Sequence, residues 1–177
     1  MLSDKIIGET EEASIIGIAL QKHLPIEITK DQRAFKKSEA IAKQFIIRAE
    51  QKYFKNYSLL EEKITSEQNI ENKKTLTLLF TVLEEYHKEL RRRNKINFNQ
   101  MVALAADKLK GSTAYSYIFV DEYQDFSLLF LTLIKSLRKT CENAKLLAVG
   151  DDWQAINRFA GSDVEYFTHF EKYFNED

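Results

Sequence analysis

Tyr117-Ile118-Phe119-Val120-Asp121-Glu122 and Leu146-Leu147-Ala148-Val149-Gly150-Asp151 are two short apolar runs, each closed by acids. Runs of four β-branched, aromatic and aliphatic residues bounded by polar ones read as strands, and Tyr117–Val120 reads as a strand buried on both faces. Between them Ser127 is placed to cap a helix in which Leu128, Phe130, Leu131, Leu133, Ile134 and Leu137 are apolar nearly all round, with Arg138 and Lys139 at its end. Strand, helix, strand is a βαβ unit, so the two strands are predicted to be parallel neighbours joined by a right-handed crossover.

Outward from this unit the chain is helical in texture. It holds one proline and five glycines among 177 residues, too few breakers for a loop-rich fold. Ile41, Phe45, Ile46 and Ala49 repeat at helical spacing. Leu76, Leu79, Phe80, Leu83, Tyr86 or His87, and Leu90 form the clearest stripe, ending at Arg91-Arg92-Arg93, where positive charge suits a helix C-terminus. Ser66–Lys74 is polar and reads as a loop or a frayed helix. Asn97 is placed to cap the next helix with Gln100 as its partner. Phe98, Val102, Ala105 and Leu109 form the predicted buried stripe, and Gly111 is the stop. Ser162-Asp163-Val164-Glu165 reads as a capping box opening a last helix that buries Val164, Phe167, Phe170 and Phe174. The expectation is an α/β chain, with a mainly helical subdomain over residues 1–95 and the sheet-bearing part over 96–177.

Composition narrows the class of protein. Apolar residues make up 44% and charged residues 30%, values that exclude wholesale disorder, and a single cysteine, Cys141, excludes an internal disulfide. No apolar stretch approaches the 18 or so residues a membrane helix needs, and Met1–Ile6 lacks the order of a secretion signal, so a cytoplasmic location is expected. Charge is uneven. Residues 1–95 hold 18 Lys/Arg against 15 Asp/Glu, and residues 96–177 hold 8 against 12. That asymmetry suits a nucleic-acid face beside a metal site, and is equally common in helical chains without either. His23, His87 and His169 show no metal-ligand spacing.

The acids carry the chemistry. Open α/β sheets bind ligands beyond the carboxyl ends of their strands, where the sequence puts Asp121-Glu122-Tyr123-Gln124-Asp125 and Gly150-Asp151-Asp152-Trp153-Gln154. A carboxylate at a strand tip can hold hydrated magnesium whose shell substrate phosphates complete, and a second one a residue later can orient or deprotonate water. Asp121 suits the metal and Glu122 the base. Acids after strands also simply cap helices, a role open to Asp125 and Ser127. Trp153 is read as a packing residue rather than a stacking one.

Val120-Asp121-Glu122-Tyr123-Gln124-Asp125 resembles motif II, the Walker B segment, of UvrD/Rep-type superfamily 1 DNA helicases. Val149-Gly150-Asp151-Asp152-Trp153-Gln154-Ala155-Ile156-Asn157-Arg158-Phe159-Ala160-Gly161-Ser162 resembles their motif III, in the form met in the DNA helicase IV branch. The resemblance implies a partial RecA-like motor domain preceded by a helical insertion, with Asp121 positioning Mg²⁺ and Glu122 activating the water that attacks the γ-phosphate of ATP. It implies that Gln154 senses that phosphate, that Asp125 and Asp151 belong to the nucleotide coupling, and that Phe159 stacks on a base of single-stranded DNA beside Arg158. Stacking of this kind is worth about 1–3 kcal/mol per base and tolerates any sequence. Periodicity alone reads Phe159 equally well as a core residue. Asn97 and Asn99 stand where the family usually has acids, Asn157 where it commonly has tyrosine, and Ala160 where it commonly has arginine.

A phosphate-binding loop needs Gly, four residues, then Gly-Lys-Ser/Thr. None of Gly8, Gly17, Gly111, Gly150 or Gly161 has a glycine five positions on. The sequence therefore reads as a piece of an ATP-dependent helicase that acts on single-stranded DNA and duplex junctions together with the remaining helicase domains. Alone it is expected to hydrolyse ATP no faster than a Glu122→Gln control. Two alternatives stay open: a non-catalytic DNA- or protein-binding module derived from a helicase, and a magnesium-dependent phosphohydrolase or nuclease built on Asp121, Asp125, Asp151 and Asp152.

Overall fold

The computed structural model of the chain describes residues 5–109, 115–151, 153 and 165–174. It divides into two compact units, residues 1–49 with 55–98, and residues 50–54 with 99–177.

The first unit is helical: α1 (Glu9–His23), α2 (Ile26–Lys30), most of α3 (Gln32–Tyr53), α4 (Ser58–Thr65) and α5 (Ile70–Arg92). Charge favours both ends of α1, with Glu9, Glu11 and Glu12 in its first turn and Lys22 and His23 in its last. α1 buries Ile15, Ile16, Ala19 and Leu20, and α5 buries Leu79, Val82, Leu83, Tyr86 and Leu90. Fully buried Tyr86 ties the two together, because its hydroxyl donates to Glu12 Oε1 at 2.8 Å and accepts from Asn97 Nδ2 at 3.2 Å. Asn69 caps α5, accepting from the Glu71 and Asn72 amides at 3.0 Å each. The expected loop over Ser66–Lys74 is thus shorter, since the cap starts the helix at Ile70. At the other end Asn94 takes a left-handed conformation (φ 55°). The Lys95 amide reaches Leu90 O and the Asn94 amide reaches Arg91 O, so the last carbonyls of α5 are satisfied in a Schellman arrangement. In α3 the expected stripe is displaced at one position: Ile41 is exposed and Ala42 is buried with Ile46 and Ala49.

The second unit contains the end of α3, α6 (Phe98–Lys108, from Asn99), β1 (Tyr117–Val120), α7 (Leu128–Thr140), β2 (Lys145–Ala148), α8 (Glu165–Thr168) and α9 (Phe170–Phe174). α6 buries Asn99, Val102 and Ala106, while Phe98 and Ala105 are exposed, so its inward face is rotated from the expected one. The reason is polar: Asn99 donates from Nδ2 to the buried Glu50 carboxylate at 3.0 Å, a contact that hydrophobic periodicity cannot reveal.

β1 and β2 are parallel, in the register Tyr117–Lys145, Ile118–Leu146, Phe119–Leu147 and Val120–Ala148. Ile118 and Val120 face a core of Tyr123, Phe126, Leu131, Ile134, Cys141, Ala144 and Phe174. β1 is not buried on both faces, however. Tyr117, Phe119 and Leu147 lie exposed on the opposite side, with the Tyr117 and Phe119 rings stacked at 6.0 Å. Ser127 caps α7 as read from sequence, its hydroxyl accepting from Phe130 N at 3.5 Å. The last helix is broken into α8 and α9 around His169, and of its expected core residues Phe174 is buried while Phe167 and Phe170 are half-buried. Of the expected capping box Glu165 opens α8, while Ser162, Asp163 and Val164, like Gly111, lie outside the described residues.

Candidate active site

β1 delivers Asp121 and Glu122 at its carboxyl tip, and β2 delivers Gly150 and Asp151 beside them. The ladder continues one step past the strands, Val149 N donating to Val120 O at 2.8 Å and Tyr123 N to Val149 O at 2.9 Å. These bonds lash the two tips together before any side chain is considered.

After Val120 the backbone turns sharply. Glu122 occupies the left-handed region (φ 51°, ψ 41°), a conformation that costs a residue with a β-carbon about 1–2 kcal/mol. Local bonds hold it there. Asp121 Oδ1 accepts from the Glu122 amide at 2.9 Å, and the Glu122 carbonyl accepts from the Asp125 amide at 2.9 Å, closing the short 3₁₀ turn Tyr123–Asp125. Asp121 and Glu122 are exposed at this tip, and Asp151 is exposed at the other. Backbone strain beside two accessible carboxylates is the pattern that functional sites show.

Gln124 joins the two tips. It is buried at 2% exposure, its Nε2 donating to Glu122 Oε2 at 2.5 Å and its Oε1 accepting from Asp151 N at 2.9 Å. Beneath it Tyr123 packs among Phe126, Phe170, Phe167 and Phe174, with ring centroids between 4.3 and 6.2 Å. Burial, with the nearby Tyr173 and Tyr166, pushes its phenol well above the ordinary tyrosine range. On the β2 side Asp151 Oδ1 accepts from the Trp153 amide at 3.1 Å. Trp153 itself is 93% exposed, which corrects the expectation that it packs.

The structure therefore brings Asp121, Glu122 and Asp151 to one pair of adjacent tips, and places half-buried Asp125 in the turn between them and α7. Gln154, Arg158 and Phe159, with Asp152, Asn157 and Ala160, lie outside the described residues. Sequence reasoning assigns Gln124 no role. Its partners are a side chain two residues back and a backbone amide 27 residues on, and the second of these is set only by strand pairing.

Magnesium is commonly held by one or two carboxylates while phosphates and water complete its shell. Asp121, exposed and partly oriented by the Glu122 amide, fits that mode. Among the described residues no group of three or more His, Cys, Asp or Glu side chains is placed to hold a metal ion by itself. No described helix is long and apolar enough to cross a membrane.

Parallel strands with acids at their carboxyl tips, embedded in a helix-rich chain, define an α/β domain with a candidate site at the strand ends. Residues 4–175 match the UvrD/REP helicase N-terminal domain, and the chain belongs to that family. It is similar to DNA helicase IV of Escherichia coli (strain K12), 34% identical over 106 residues, which cover 58% of this chain and 16% of that protein. It is also similar to the ATP-dependent DNA helicase PcrA of Staphylococcus aureus (strain Mu50), 29% identical over 107 residues covering 56% of the chain and 14% of that protein. The chain thus spans a small part of the length of the curated relatives it matches.

Proposed function

We propose that this chain is the part of an ATP-dependent DNA helicase that carries the catalytic carboxylates of a RecA-like motor domain, together with a helical subdomain. The observation that carries the reading is the shared tip of β1 and β2. There Glu122 is held in a strained backbone conformation next to Asp121, with the Asp151 backbone tied to the same cluster.

In this reading Asp121 holds Mg²⁺ through its exposed carboxylate. Bound there with nucleotide, that ion would neutralise charge on the phosphates. Glu122 accepts the proton of the attacking water, a task suited to an exposed carboxylate whose orientation the Gln124 amide fixes. Asp125 and Asp151 keep the turn and the β2 tip in register with it. Gln154 is assigned to the γ-phosphate, and Phe159 with Arg158 to single-stranded DNA, on the motif resemblance. Without a Gly-Lys-Ser/Thr loop among its 177 residues, the chain alone is expected to turn over ATP no faster than its Glu122→Gln variant.

The test is a chimera in which this chain replaces the matching segment of the Escherichia coli helicase IV. Its DNA-stimulated ATP hydrolysis is expected to fall about 100- to 10,000-fold on Glu122→Gln, the range for loss of a general base. Equal turnover with and without Glu122 would overturn the assignment.

A further inference from the structure

We propose that Gln124 is a positioning residue that couples the Glu122 carboxylate to the backbone of the β2 tip, so that displacement of one is felt by the other. Its use in catalysis rests on the nucleotide reading above, but its existence does not.

A primary amide offers a donor at one end and an acceptor at the other. Gln124 spends the donor on Glu122 Oε2 and the acceptor on the Asp151 amide. Turning the amide over would set oxygen against the carboxylate and N–H against N–H, so the orientation is fixed by its two partners. At 2% exposure water cannot replace either bond cheaply. The carboxylate also polarises the amide it receives, which strengthens the far oxygen as an acceptor. Gly150 completes the fit, because a β-carbon there would lie 2.4 Å from Gln124 Oε1 and 3.0 Å from the Gln124 backbone nitrogen. Leucine or methionine would fill the same volume without either bond, and asparagine is a methylene too short to span both tips. The residue thus gives the β2 tip a physical connection to the proposed base without touching substrate.

Hydrogen exchange at the Asp151 amide, measured by NMR on the nucleotide-free 177-residue chain, tests the coupling. Glu122→Ala is expected to speed exchange at Asp151 about tenfold, the size of one weakened hydrogen bond. The Lys145 amide, bonded to Ser116 O at the far end of the sheet, is expected to hold its rate. Glu122→Gln still offers an oxygen to Gln124 and is expected to stay within about twofold of the parent. Gln124→Glu sets two carboxylates against each other and is expected to loosen Asp151. Adding Glu122→Gln to it reverses donor and acceptor and is expected to restore protection. That rescue decides the matter if Glu122→Ala fails to fold. Unchanged exchange in Glu122→Ala, equal effects of Glu122→Ala and Glu122→Gln, acceleration shared with Lys145, or no rescue in the double variant would each overturn the proposal. In the helicase IV chimera Gln124→Met is expected to lower kcat for ATP with little change in KM. A chimera that hydrolyses no ATP at all would sink the nucleotide reading and leave the exchange result standing.

Discussion

A methyl group on Gly150 would lie 2.4 Å from Gln124 Oε1, and the ring of Phe167 would crowd it from 3.0 Å. The amide oxygen is the end of a flexible side chain, yet it cannot retreat without losing the Asp151 amide and drawing its own nitrogen off Glu122. Gly150→Ala is therefore expected to destabilise the chain by about 1–3 kcal/mol, the usual cost of overfilling a packed site. Urea unfolding of the two proteins measures it, and equal midpoints would mean that the β2 tip is free to shift.

Tyr123 presents the opposite case, a group whose removal should help. Its hydroxyl is buried with no hydrogen-bond partner among the described residues, inside a cluster of phenylalanines. A buried, unsatisfied hydroxyl costs about 1–3 kcal/mol, so Tyr123→Phe is expected to be neutral or stabilising by about 1 kcal/mol. The raised phenol has a separate signature. In an alkaline absorbance titration one tyrosine is expected to ionise only as the fold is lost, and that component is expected to vanish in Tyr123→Phe. A destabilised Tyr123→Phe would reveal a partner for the hydroxyl.

The parts that local chemistry determines are legible in the sequence, and the parts that tertiary contact determines are not. Tyr117–Val120 and Leu146–Val149 announce strands because an apolar run closed by acids or glycine has few other uses. Ser127 announces α7 because a hydroxyl before a helix satisfies an amide that nothing else can. Which face of β1 is covered depends on layers that periodicity does not encode, so Tyr117 and Phe119 read as interior residues and yet lie outside. The α6 face is misjudged because Asn99, polar by composition, is buried on Glu50. At the site Asp121 and Glu122 stand out by type and position, whereas Gln124 gains its meaning only when strand pairing brings Asp151 to it.

Glu89 gives the first unit an acid-sensitive joint. The guanidinium groups of Arg92 and then Arg93, each hydrogen-bonded at 2.7–2.8 Å, hold its carboxyl at about 2, below the ordinary 4.5. Arg93 also reaches Glu11 on α1 at 2.8 Å. A carboxyl depressed in the folded state favours folding above its ordinary range, and that contribution is lost as pH falls from about 4.5 through about 2. Stability of the parent is expected to drop more steeply over this interval than that of Glu89→Gln, with the difference shrinking in salt. Thermal melts across the interval read it, and parallel profiles would refute the pairing.

Asn69 starts the longest helix by accepting from two amides that would otherwise face solvent unpaired. Asn69→Ala is expected to cost about 1 kcal/mol, as loss of a side-chain cap does, while Asn69→Asp or Asn69→Ser is expected to retain most of it. Equal stability in Asn69→Ala would mean that packing of the buried α5 face alone sets where the helix begins.

Trp153 is the chain's single tryptophan and stands 93% exposed two residues beyond Asp151, to which its amide donates. An indole so placed emits as it would in water and is open to collisional quenchers, so fluorescence of the folded chain is expected to be red-shifted and strongly quenched by iodide. Both properties are expected to change little on unfolding, unlike those of a core tryptophan. The same indole reports on the β2 tip without a label. If the segment after it meets single-stranded DNA, oligonucleotide is expected to lower iodide access to Trp153, and the effect is expected to fade with added salt as phosphate contacts weaken. A blue-shifted emission in the free chain would place the indole in an apolar contact and remove it as a surface of this site.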